Sequence, residues 1–482
     1  MWSQRILKPW GRILIDAADG DYLRKKFQPR SWEWADNKLF VCRERELSSD
    51  GQRLITREIV NHTEKGVIAD QFYAERLYSR STISRILQEA GFAQIEHLEG
   101  FVPVSARNQD LGMMAQRILL TCTVPKRSAI LTAGVPGDLK EVVVIMGDPH
   151  KTDTVKPDLI FDDDDFYTID ELKSALESNN HRHYTYLNNH DTLIDDLRNL
   201  RNRTDLVLNL CDEGFENEPR RELHIPALLE VLQIPYTGGG PQCLAFCYDK
   251  SLVRGIAKEM NIPVPNGLLI KAEDSTIDLP MYFPVIVKPN FGDSSFGIIQ
   301  DSVAQTPEEL IDAVAQIRRR FGYEQPVLVE EFLLGQDLSV GIIGNPPNEY
   351  TILPIVEEDY SVLPDGLPHI CGYEAKWLPD SPYWNLRSIP AELSETARNQ
   401  IEDASVKLFV RLECRDYARF DWRFDSEGNP KLLEVNPNPG WCWDGHLAKM
   451  AHIAGLSYAD MLEAILSAAA TRLAALSPAR QR

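Results

Sequence analysis

The sequence predicts an α/β protein built from several domains, and three features support this. Its 482 residues exceed what one hydrophobic core usually organises, so about three domains are expected. Apolar runs of strand length alternate with helical stretches between residues 140 and 265, as in a parallel α/β layer. Two apolar strands near the C-terminus carry acids and an amide at their ends, which indicates a polar site at a sheet edge.

Composition and charge narrow the classes of function. A hydrophobic content of 43% and a charged content of 26% are typical of globular proteins. The formal net charge of −21 argues against nucleic acid or an anionic membrane as a partner. The eight cysteines lack the spacing of a zinc site or a disulfide framework. Without a signal-peptide pattern or a run of membrane-helix length, we expect a cytoplasmic protein with small-molecule partners, which could form a homodimer.

Residues 1–130 are expected to form a separate unit, followed by a linker at 126–139. The pattern predicts strands at 13–16, 39–46, 53–60, 94–101 and 117–124, a turn at Asp50-Gly51, and a helix at 69–90. With Lys8-Pro-Trp-Gly-Arg at its entrance, this order resembles the C-terminal half of a class I S-adenosylmethionine-dependent methyltransferase. The cofactor loop and second-strand acid of that family have no counterpart here. We therefore expect a partial Rossmann-like segment with a structural or docking role rather than methyl transfer.

Residues 140–265 are expected to form a parallel α/β layer. The pattern predicts strands at 141–147, 182–186 and 206–210 and helices at 169–177 and 193–200. The aspartate run at 162–165 is interpreted as an approach to a helix rather than a metal site. The polar run Asn209-Leu-Cys-Asp-Glu-Gly places Glu213 at the end of a parallel strand, where such sheets bind ligands. Glu213 is therefore a candidate substrate contact.

A phosphate-binding site is indicated by a lysine and the loop that follows it. Lys288 lies near the end of an apolar strand, and the next loop contains Ser294, Ser295 and Phe296 between two glycines. Backbone N–H groups and hydroxyls in such loops can hold phosphates, and a lysine supplies the point charge that they need. Lys250 is a second candidate, with an exposed helix lysine as the alternative interpretation.

A site for a nucleoside is indicated further along the chain. Glu330 ends an apolar strand beside Phe332 and Leu333, which suits a flat base with polar edges. Asp337 could accept hydrogen bonds from ribose hydroxyls. An irregular tract at 357–372, long enough for a functional flap, precedes Lys376.

A metal site is indicated by two strands rich in oxygen ligands. Glu434 and Asn436 stand two residues apart, so their side chains leave the strand on one face. Arg419 and Asp421 share the same spacing on the preceding strand. Carboxylate and amide oxygens are the ligands that Mg²⁺ prefers, so one or two Mg²⁺ ions are expected here.

Taken in order, these features resemble the ATP-grasp superfamily over residues 140–470, and within it the D-alanine–D-alanine ligase-like carboxylate–amine ligases. The matching signatures are Ile234-Pro-Tyr-Thr-Gly with Asp249-Lys250, Val285-Ile-Val-Lys-Pro, Ser294-Ser295, Val327-Leu-Val-Glu-Glu-Phe-Leu, Tyr373-Glu-Ala-Lys, Arg419-Phe-Asp and Leu432-Leu-Glu-Val-Asn-Pro. The resemblance implies a pre-ATP-grasp domain at 140–265, a central ATP-grasp subdomain at 266–345 and a catalytic subdomain at 346–482.

The resemblance also implies a role for each matched residue. Lys250 and Lys288 would contact the ATP phosphates beneath a mobile loop carrying Ser294, Ser295 and Phe296. Adenosine would be held by Glu330, Phe332, Leu333 and Asp337, and two Mg²⁺ ions by Asp421, Glu434 and Asn436. Lys376 and Arg419 would neutralise the transition state as a carboxylate takes the γ-phosphoryl group of ATP. An amine would then displace phosphate from the acyl phosphate and form an amide bond.

Departures from the family pattern bear on the substrates. The loop Gly147-Asp148-Pro149-His150 lacks the glutamate that binds the first amino group in D-alanine–D-alanine ligases, and Trp377 replaces a usual tyrosine. Family members carry a Ser-Leu pair after the last strand, and this pair binds the carboxylate of the second substrate. This chain has the run Gly440-Trp-Cys-Trp-Asp-Gly-His-Leu in its place. Here the candidate substrate contacts are Trp441, Trp443, Asp444 and His446, although the tryptophans could instead pack beneath the loop.

These departures favour a ligase of amino acids or related acids other than two D-alanines. Two alternatives stay open. One is a D-alanine–D-alanine ligase, and the other is a non-catalytic ATP-binding scaffold protein.

Overall fold

The structure is a computed structural model that describes residues 12–90, 92–98, 117–123, 139–178, 181–274, 276, 279, 282–292 and 295–476. The chain separates into two compact units, 1–127 and 128–482. The expected division of the second unit at 265 and 345 stays a prediction.

The described part of the first unit contains two antiparallel sheets and two helices. The sheet orders are β1-β7-β6 and β2-β3-β4-β5. The strands are β1 (Arg12–Ala18), β2 (Arg30–Trp34), β3 (Leu39–Leu47), β4 (Arg53–His62), β5 (Gly66–Arg76), β6 (Ala93–Leu98) and β7 (Arg117–Thr123), and the helices are α1 (Gly20–Lys26) and α2 (Arg80–Glu89).

The helix predicted at 69–90 is wrong over its first part. Residues 66–76 form β5, which pairs with β4 along its whole length. The helix begins only at Arg80, where the hydroxyl of Ser79 accepts a hydrogen bond from the backbone N–H of Thr82 at 3.1 Å. Pairing with β4 therefore overrides the local helical pattern. The expected strand ends at 99–101 and 124, and the Lys8–Gly11 entrance, lie outside the described residues, and the methyltransferase resemblance stays a prediction.

The described residues of the second unit form three sheets. They are ordered β10-β8-β9, β11-β14-β12-β13, and β18-β17-β15-β19-β20 with β16 on β15. The strands are β8 (Glu141–Ile145), β9 (His183–Leu187), β10 (Leu206–Asn209), β11 (Gly267–Ile270), β12 (Val285–Pro289), β13 (Val303–Ala304), β14 (Val327–Glu331), β15 (Asp337–Gly344), β16 (Tyr350–Ile352), β17 (Val356–Asp359), β18 (Arg387–Pro390), β19 (Tyr417–Phe424) and β20 (Pro430–Asn436).

Helices cover these sheets. They are α3 (Asp163–Glu177), α4 (Leu193–Leu200), α5 (His224–Leu232), α6 (Pro241–Tyr248), α7 (Lys250–Glu259), α8 (Pro307–Phe321), α9 (Tyr373–Trp377), α10 (Glu395–Arg411), α11 (His446–Ile453) and α12 (Tyr458–Leu476). Short 3₁₀ turns lie at Phe215–Asn217, Pro219–Arg221, Gln300–Ser302 and Pro382–Asn385.

The parallel layer predicted from the alternating pattern is confirmed, because β8 pairs in parallel with both β9 and β10. The aspartate run at 162–165 does lead into a helix. Asp162 caps α3 by accepting hydrogen bonds from two backbone N–H groups, and the side chain of Asp165 accepts one from the N–H of Asp162 at 2.8 Å. This capping box starts α3 six residues earlier than expected.

Separate cores hold the strands that carry the candidate site. One packs β12 and β14 against α8 through Val287, Val329 and Ile317. Another packs β19 and β20 against α10 through Trp422, Val435 and Leu408. The polar ends of rigid strands are thereby fixed in position.

No single helix in the described ranges is long and apolar enough to cross a membrane. Helix α11 and residues 458–475 meet the length and hydropathy criteria only when taken together, and the two helices are bent by 103° relative to each other.

Candidate active site

The predicted metal ligands meet across the β19–β20 hairpin. The register places Asp421 opposite Glu434 and Arg419 opposite Asn436. The side-chain amide of Asn436 donates to Asp421 at 2.9 Å and to Glu434 at 3.3 Å. The structure thus brings together two carboxylates and an amide from adjacent strands.

Asp421 is held in its charged form. Arg419 contacts both of its carboxylate oxygens at 2.8 Å, and the hydroxyl of Ser339 donates to it at 2.7 Å. Burial alone would raise the pKa of Asp421, but Arg419 and the hydrogen bonds outweigh burial and hold that pKa at about 2. Ser339, which the sequence interpretation missed, lies opposite Asp421 in the register of β15 and β19.

These donors fit a hard cation. Two carboxylates and an amide oxygen are the ligand types that Mg²⁺ takes, usually completed by water and phosphate oxygens. Within the described ranges, no group of three or more His, Cys, Asp or Glu side chains is arranged to hold a metal ion. A metal bound here would therefore rely on Asn436 beside the two acids.

Lys250 reaches towards this hairpin from the first turn of α7. Its side chain is buried, with Nζ 3.7 Å from a carboxylate oxygen of Glu434 and in contact with the backbone carbonyl of Gly292. The alternative of an exposed helix lysine is therefore wrong. Asp249 sets the start of α7 by accepting a hydrogen bond from the N–H of Leu252 at 3.0 Å.

Lys288 and Glu330 lie on the neighbouring strands β12 and β14 and form a buried charge cluster. Glu330 is only 1% exposed, and its carboxylate lies 2.5 Å from Nζ of Lys288 and 2.9 Å from Nε of Arg254. Sequence analysis missed Arg254. It stands four residues after Lys250 in α7, the spacing that puts two side chains on one helix face, and this spacing could have identified it.

Two of the predicted nucleoside contacts, Phe332 and Asp337, lie against Arg423, which the sequence interpretation also missed. Phe332 and Leu333 are buried, and the guanidinium of Arg423 lies 5.0 Å from the Phe332 ring centre. Asp337 accepts a hydrogen bond from the Tyr360 hydroxyl at 2.7 Å and one from Arg423 at 3.5 Å. Burial raises the pKa of Asp337. Arg423 follows Asp421 by two residues on β19, so strand periodicity could have found it.

The loop after β12 and the short helix α9 are linked. The hydroxyl of Ser295 donates to the carbonyl of Cys371 at 3.0 Å and accepts from Nζ of Lys376 at 3.1 Å. Phe296 packs edge-on against Phe321 with ring centres 5.0 Å apart. Ser294 lies outside the described residues.

The residues after β20 differ in exposure. Trp441 is buried and donates from its indole nitrogen to Asp212 at 3.0 Å, as expected of a packed tryptophan. Trp443 is 41% exposed and touches Tyr167 edge-on at 6.0 Å. His446 lies 2.8 Å from a carboxylate oxygen of Glu358, a residue absent from the predicted set. Asp444 is exposed in the same loop.

Glu213 and its neighbour Asp212 lie at the carboxyl end of β10. The carboxylate of Glu213 fills the space above Gly147, where an added Cβ would stand only 2.5–2.8 Å from its carboxylate atoms. One carboxylate oxygen of Glu213 is buried without a hydrogen-bond partner among the described residues. Burial raises the pKa of Glu213 well above its usual value and raises the pKa of Asp212 to about 6.

Comparison with known proteins shows similarity to D-alanine–D-alanine ligases. Residues 258–467 match the family described as D-ala D-ala ligase C-terminus. A D-alanine–D-alanine ligase of Bordetella avium is 30% identical over 258 residues, which cover 53% of this chain and 76% of that protein. An uncharacterised protein, y4sG, of Sinorhizobium fredii is 34% identical over 55% of this chain and 75% of its own length.

A similar fold occurs in a solved structure. The D-alanine–D-alanine ligase of Bacillus anthracis, complexed with ATP, aligns with a TM-score of 0.51 at 22% identity. The alignment covers 68% of this chain and 97% of that structure.

Proposed function

This chain belongs to the D-alanine–D-alanine ligase family of the ATP-grasp superfamily, and we propose from its departures from the family pattern that it joins amino acids or related acids other than two D-alanines. It is an ATP-dependent ligase that forms carbon–nitrogen bonds between a carboxylate and an amine, and it uses ATP and Mg²⁺. Its partners are small-molecule substrates.

The observation that carries the substrate proposal is the loop from Gly440 to His446. In place of a short Ser-Leu pair, this loop presents one buried tryptophan tied to Asp212 and one exposed tryptophan against Tyr167. His446 is paired with the largely buried Glu358, which also accepts a hydrogen bond from Ser388 at 2.8 Å. Burial would raise the pKa of Glu358, but the His446 contact lowers it. The accessible part of this loop is charged and carries one exposed tryptophan, Trp443, which would suit a substrate larger than alanine.

The site residues would have three roles in the reaction: binding Mg²⁺, binding the ATP phosphates and neutralising the reacting carboxylate. Asp421, Glu434 and Asn436 would hold Mg²⁺, which when bound neutralises charge on the ATP phosphates. Lys250 and Lys288 supply two further positive charges to the phosphates, and Glu330 keeps Lys288 and Arg254 in place. Lys376 and Arg419 offset the negative charge of the reacting carboxylate.

The proposed reaction has two displacements. A carboxylate oxygen of the first substrate attacks the γ-phosphorus, and the bond from that phosphorus to the bridging oxygen of ADP breaks. The amine of the second substrate then attacks the acyl carbon, loses a proton and expels inorganic phosphate. The products are an amide, ADP, phosphate and one proton. The loop containing Ser295 and Phe296 excludes water, which would otherwise hydrolyse the acyl phosphate.

A second candidate function is D-alanine–D-alanine ligation. It is supported by the name of the Bordetella avium relative. The missing loop glutamate at Gly147–His150 and the altered Ser-Leu position count against it.

The test is ADP release from MgATP with pairs of D- and L-amino acids, D-lactate included, and mass analysis of the products. We expect turnover with a pair that contains a bulky or charged member and little with D-alanine alone. Glu434→Gln should abolish turnover, whereas the exposed control Glu427→Gln should not. Turnover with D-alanine alone would establish the second candidate, and no turnover with any pair would support the scaffold alternative.

A further inference from the structure

The short helix α9 carries Lys376, and the rest of the chain holds its two ends differently. α9 has only five residues, and no side chain caps its first turn. A helix this short is not stable by itself, so its place depends on contacts with other segments. Residues that follow β12 hold its first end. The N–H of Tyr373 donates to the carbonyl of Ile298 at 2.7 Å, and Glu374 accepts from the N–H of Gln300 at 2.8 Å.

The other end of α9 is held through Trp377. The ammonium of Lys156 lies 5.3 Å from the centre of the Trp377 ring and 4.9 Å from that of the Phe161 ring. A cation within about 6 Å of an aromatic ring is attracted by its π-electrons, most strongly where water is excluded. The indole N–H of Trp377 is buried, and no described residue accepts a hydrogen bond from it. Trp377 therefore meets the lysine with its ring and not with its N–H.

Lys156 is itself fixed in place by a carboxylate. Its side chain is only 6% exposed, and its ammonium pairs with Asp165. Asp165 belongs to the capping box of α3, in which its side chain accepts a hydrogen bond from the N–H of Asp162 at 2.8 Å. The first turn of α3 thus sets the position of Asp165, and Asp165 sets the position of the lysine beneath Trp377.

We propose that Lys156 is a positioning residue for the ligase reaction, which holds Trp377 and thereby keeps Lys376 within reach of Ser295. This assignment rests on the proposed ligase function. Lys376 directly precedes Trp377, and its Nζ donates to the Ser295 hydroxyl at 3.1 Å. A shift of this helix end would carry the Lys376 ammonium away from the loop after β12. An indole attracts a cation more strongly than the ring of the usual tyrosine would, so Lys156 and Trp377 act as a pair.

The main test compares steady-state kinetics of Lys156→Met with those of Lys173→Met. Lys173 is a matched control, because its ammonium also lies near a ring, 5.6 Å from the centre of Tyr186, and near a carboxylate oxygen, 3.9 Å from Asp170. Neither of these partners belongs to α9. We expect Lys156→Met to lower kcat by roughly 10-fold with the KM for ATP changed less than about threefold, and Lys173→Met to change neither.

Two further variants separate positioning from a loss of stability. Lys156→Arg should recover most of kcat, because a guanidinium also binds the face of an aromatic ring. Lys156→Met leaves Asp165 without its cation, which lowers stability as well. The double variant Lys156→Met/Asp165→Asn removes both charges, so it should be more stable than Lys156→Met yet keep the low kcat. It also replaces Lys156→Met in the main test if that variant does not fold.

A double-mutant cycle tests whether Lys156 acts through Trp377. In a Trp377→Leu background the ring is gone, so Lys156→Met should change kcat less than about twofold. The same roughly 10-fold loss with and without Trp377 would overturn the proposal, because Lys156 would then act by another route.

A measurement without turnover keeps the positioning role separable from the ligase function. Hydrogen exchange is followed by mass spectrometry on a peptide that covers residues 371–380 of the full chain. The amides of α9 should exchange roughly 10-fold faster in Lys156→Met than in the wild type and Lys173→Met, because the end of the helix opens more often.

The outcomes distinguish the two proposals. ADP release with an unchanged kcat in Lys156→Met would overturn the positioning role and leave the ligase function standing. Absence of ADP release with every acid would overturn the ligase function and with it the positioning role in that reaction, and the exchange of α9 would then show whether Lys156 holds the helix. Equal exchange in the wild type and Lys156→Met would overturn the positioning role in either case.

Discussion

At the residue scale, the sequence indicated candidate site residues but not the residues that contact and hold them. Lys288, Glu330 and Glu434 stand out because each lies near the end of an apolar strand, and Asp421 because it is an acid within one. Their partners come from distant parts of the chain, such as Arg254 beside Glu330. Strand periodicity fixes the face of a side chain, but it does not fix which strands pair or in which register.

Glu330→Gln should destabilise the protein by roughly 3–5 kcal/mol, because it leaves Lys288 and Arg254 buried without their shared counter-charge. The free energy of unfolding from urea titration measures this. The matched control is the next residue: Glu331→Gln removes a more exposed pair with Lys431 and should cost only about 1 kcal/mol. Equal losses in the free energy of unfolding for both variants would contradict the inference that Glu330 compensates two buried positive charges.

The raised pKa values of Asp212 and Glu213 predict a pH dependence of stability. Acids whose pKa is higher in the folded state stabilise the fold fully below their unfolded pKa, and this contribution is lost as pH rises through the folded pKa. For Asp212 that window runs from about pH 4, its usual unfolded value, to about 6, and for Glu213 it extends further upward. Ionisable groups around the pair are Asp153, Lys156, Cys211, Tyr417 and Cys442.

Urea titrations across this window should show the wild type losing roughly 1–3 kcal/mol relative to the double variant Asp212→Asn/Glu213→Gln. Both proteins share the other ionisable groups, so their difference isolates the pair. A constant difference across the pH range would contradict the raised pKa values.

At the scale of elements, strand pairing between distant segments determined secondary structure where the local sequence pattern did not. The bounds of α4 at 193–200 match the prediction because an amphipathic run with clear ends specifies them. Residues 69–76, predicted as helix, lie in strand β5 because the adjacent β4 supplies hydrogen-bonding partners along it. The capping box of α3 explains its early start, since an aspartate run satisfies the free N–H groups of a helix.

Asp162→Ala should cost roughly 0.5–2 kcal/mol in the free energy of unfolding, because the first turn of α3 loses its acceptor. Asp170→Ala, an exposed acid within the same helix, is the control and should change stability by less than about 0.5 kcal/mol. Far-UV circular dichroism during urea titration follows both variants. A loss in the control as large as that in Asp162→Ala would argue for a general charge effect instead of capping.

At the scale of the whole molecule, the two units have separate cores. Leu87, Ile118 and Leu120 lie in a core of the first unit, and the cores around Val144, Trp422 and Val287 lie in the second. The ligase signatures all fall in the second unit. The order of these signatures along the chain made the unit recognisable, although each signature is short.

Residues 128–482 expressed alone should unfold cooperatively and keep amino-acid-dependent ADP release within about threefold of the full chain, because each hydrophobic core among the described residues lies within a single unit. Thermal unfolding and the ADP assay measure the two properties. The full chain should show no heat of S-adenosylmethionine binding in calorimetry. An unfolded fragment would show that the second unit needs the first for stability. Measurable binding of S-adenosylmethionine would show that the first unit binds a cofactor, contrary to our inference.

The contact between Gly147 and Glu213 also sets a rule for how relatives of this protein can vary. A side chain at position 147 would meet the flexible end of Glu213, so the carboxylate would have to leave its present place. Among relatives, a larger residue at position 147 should therefore occur together with a shorter or differently placed side chain at position 213.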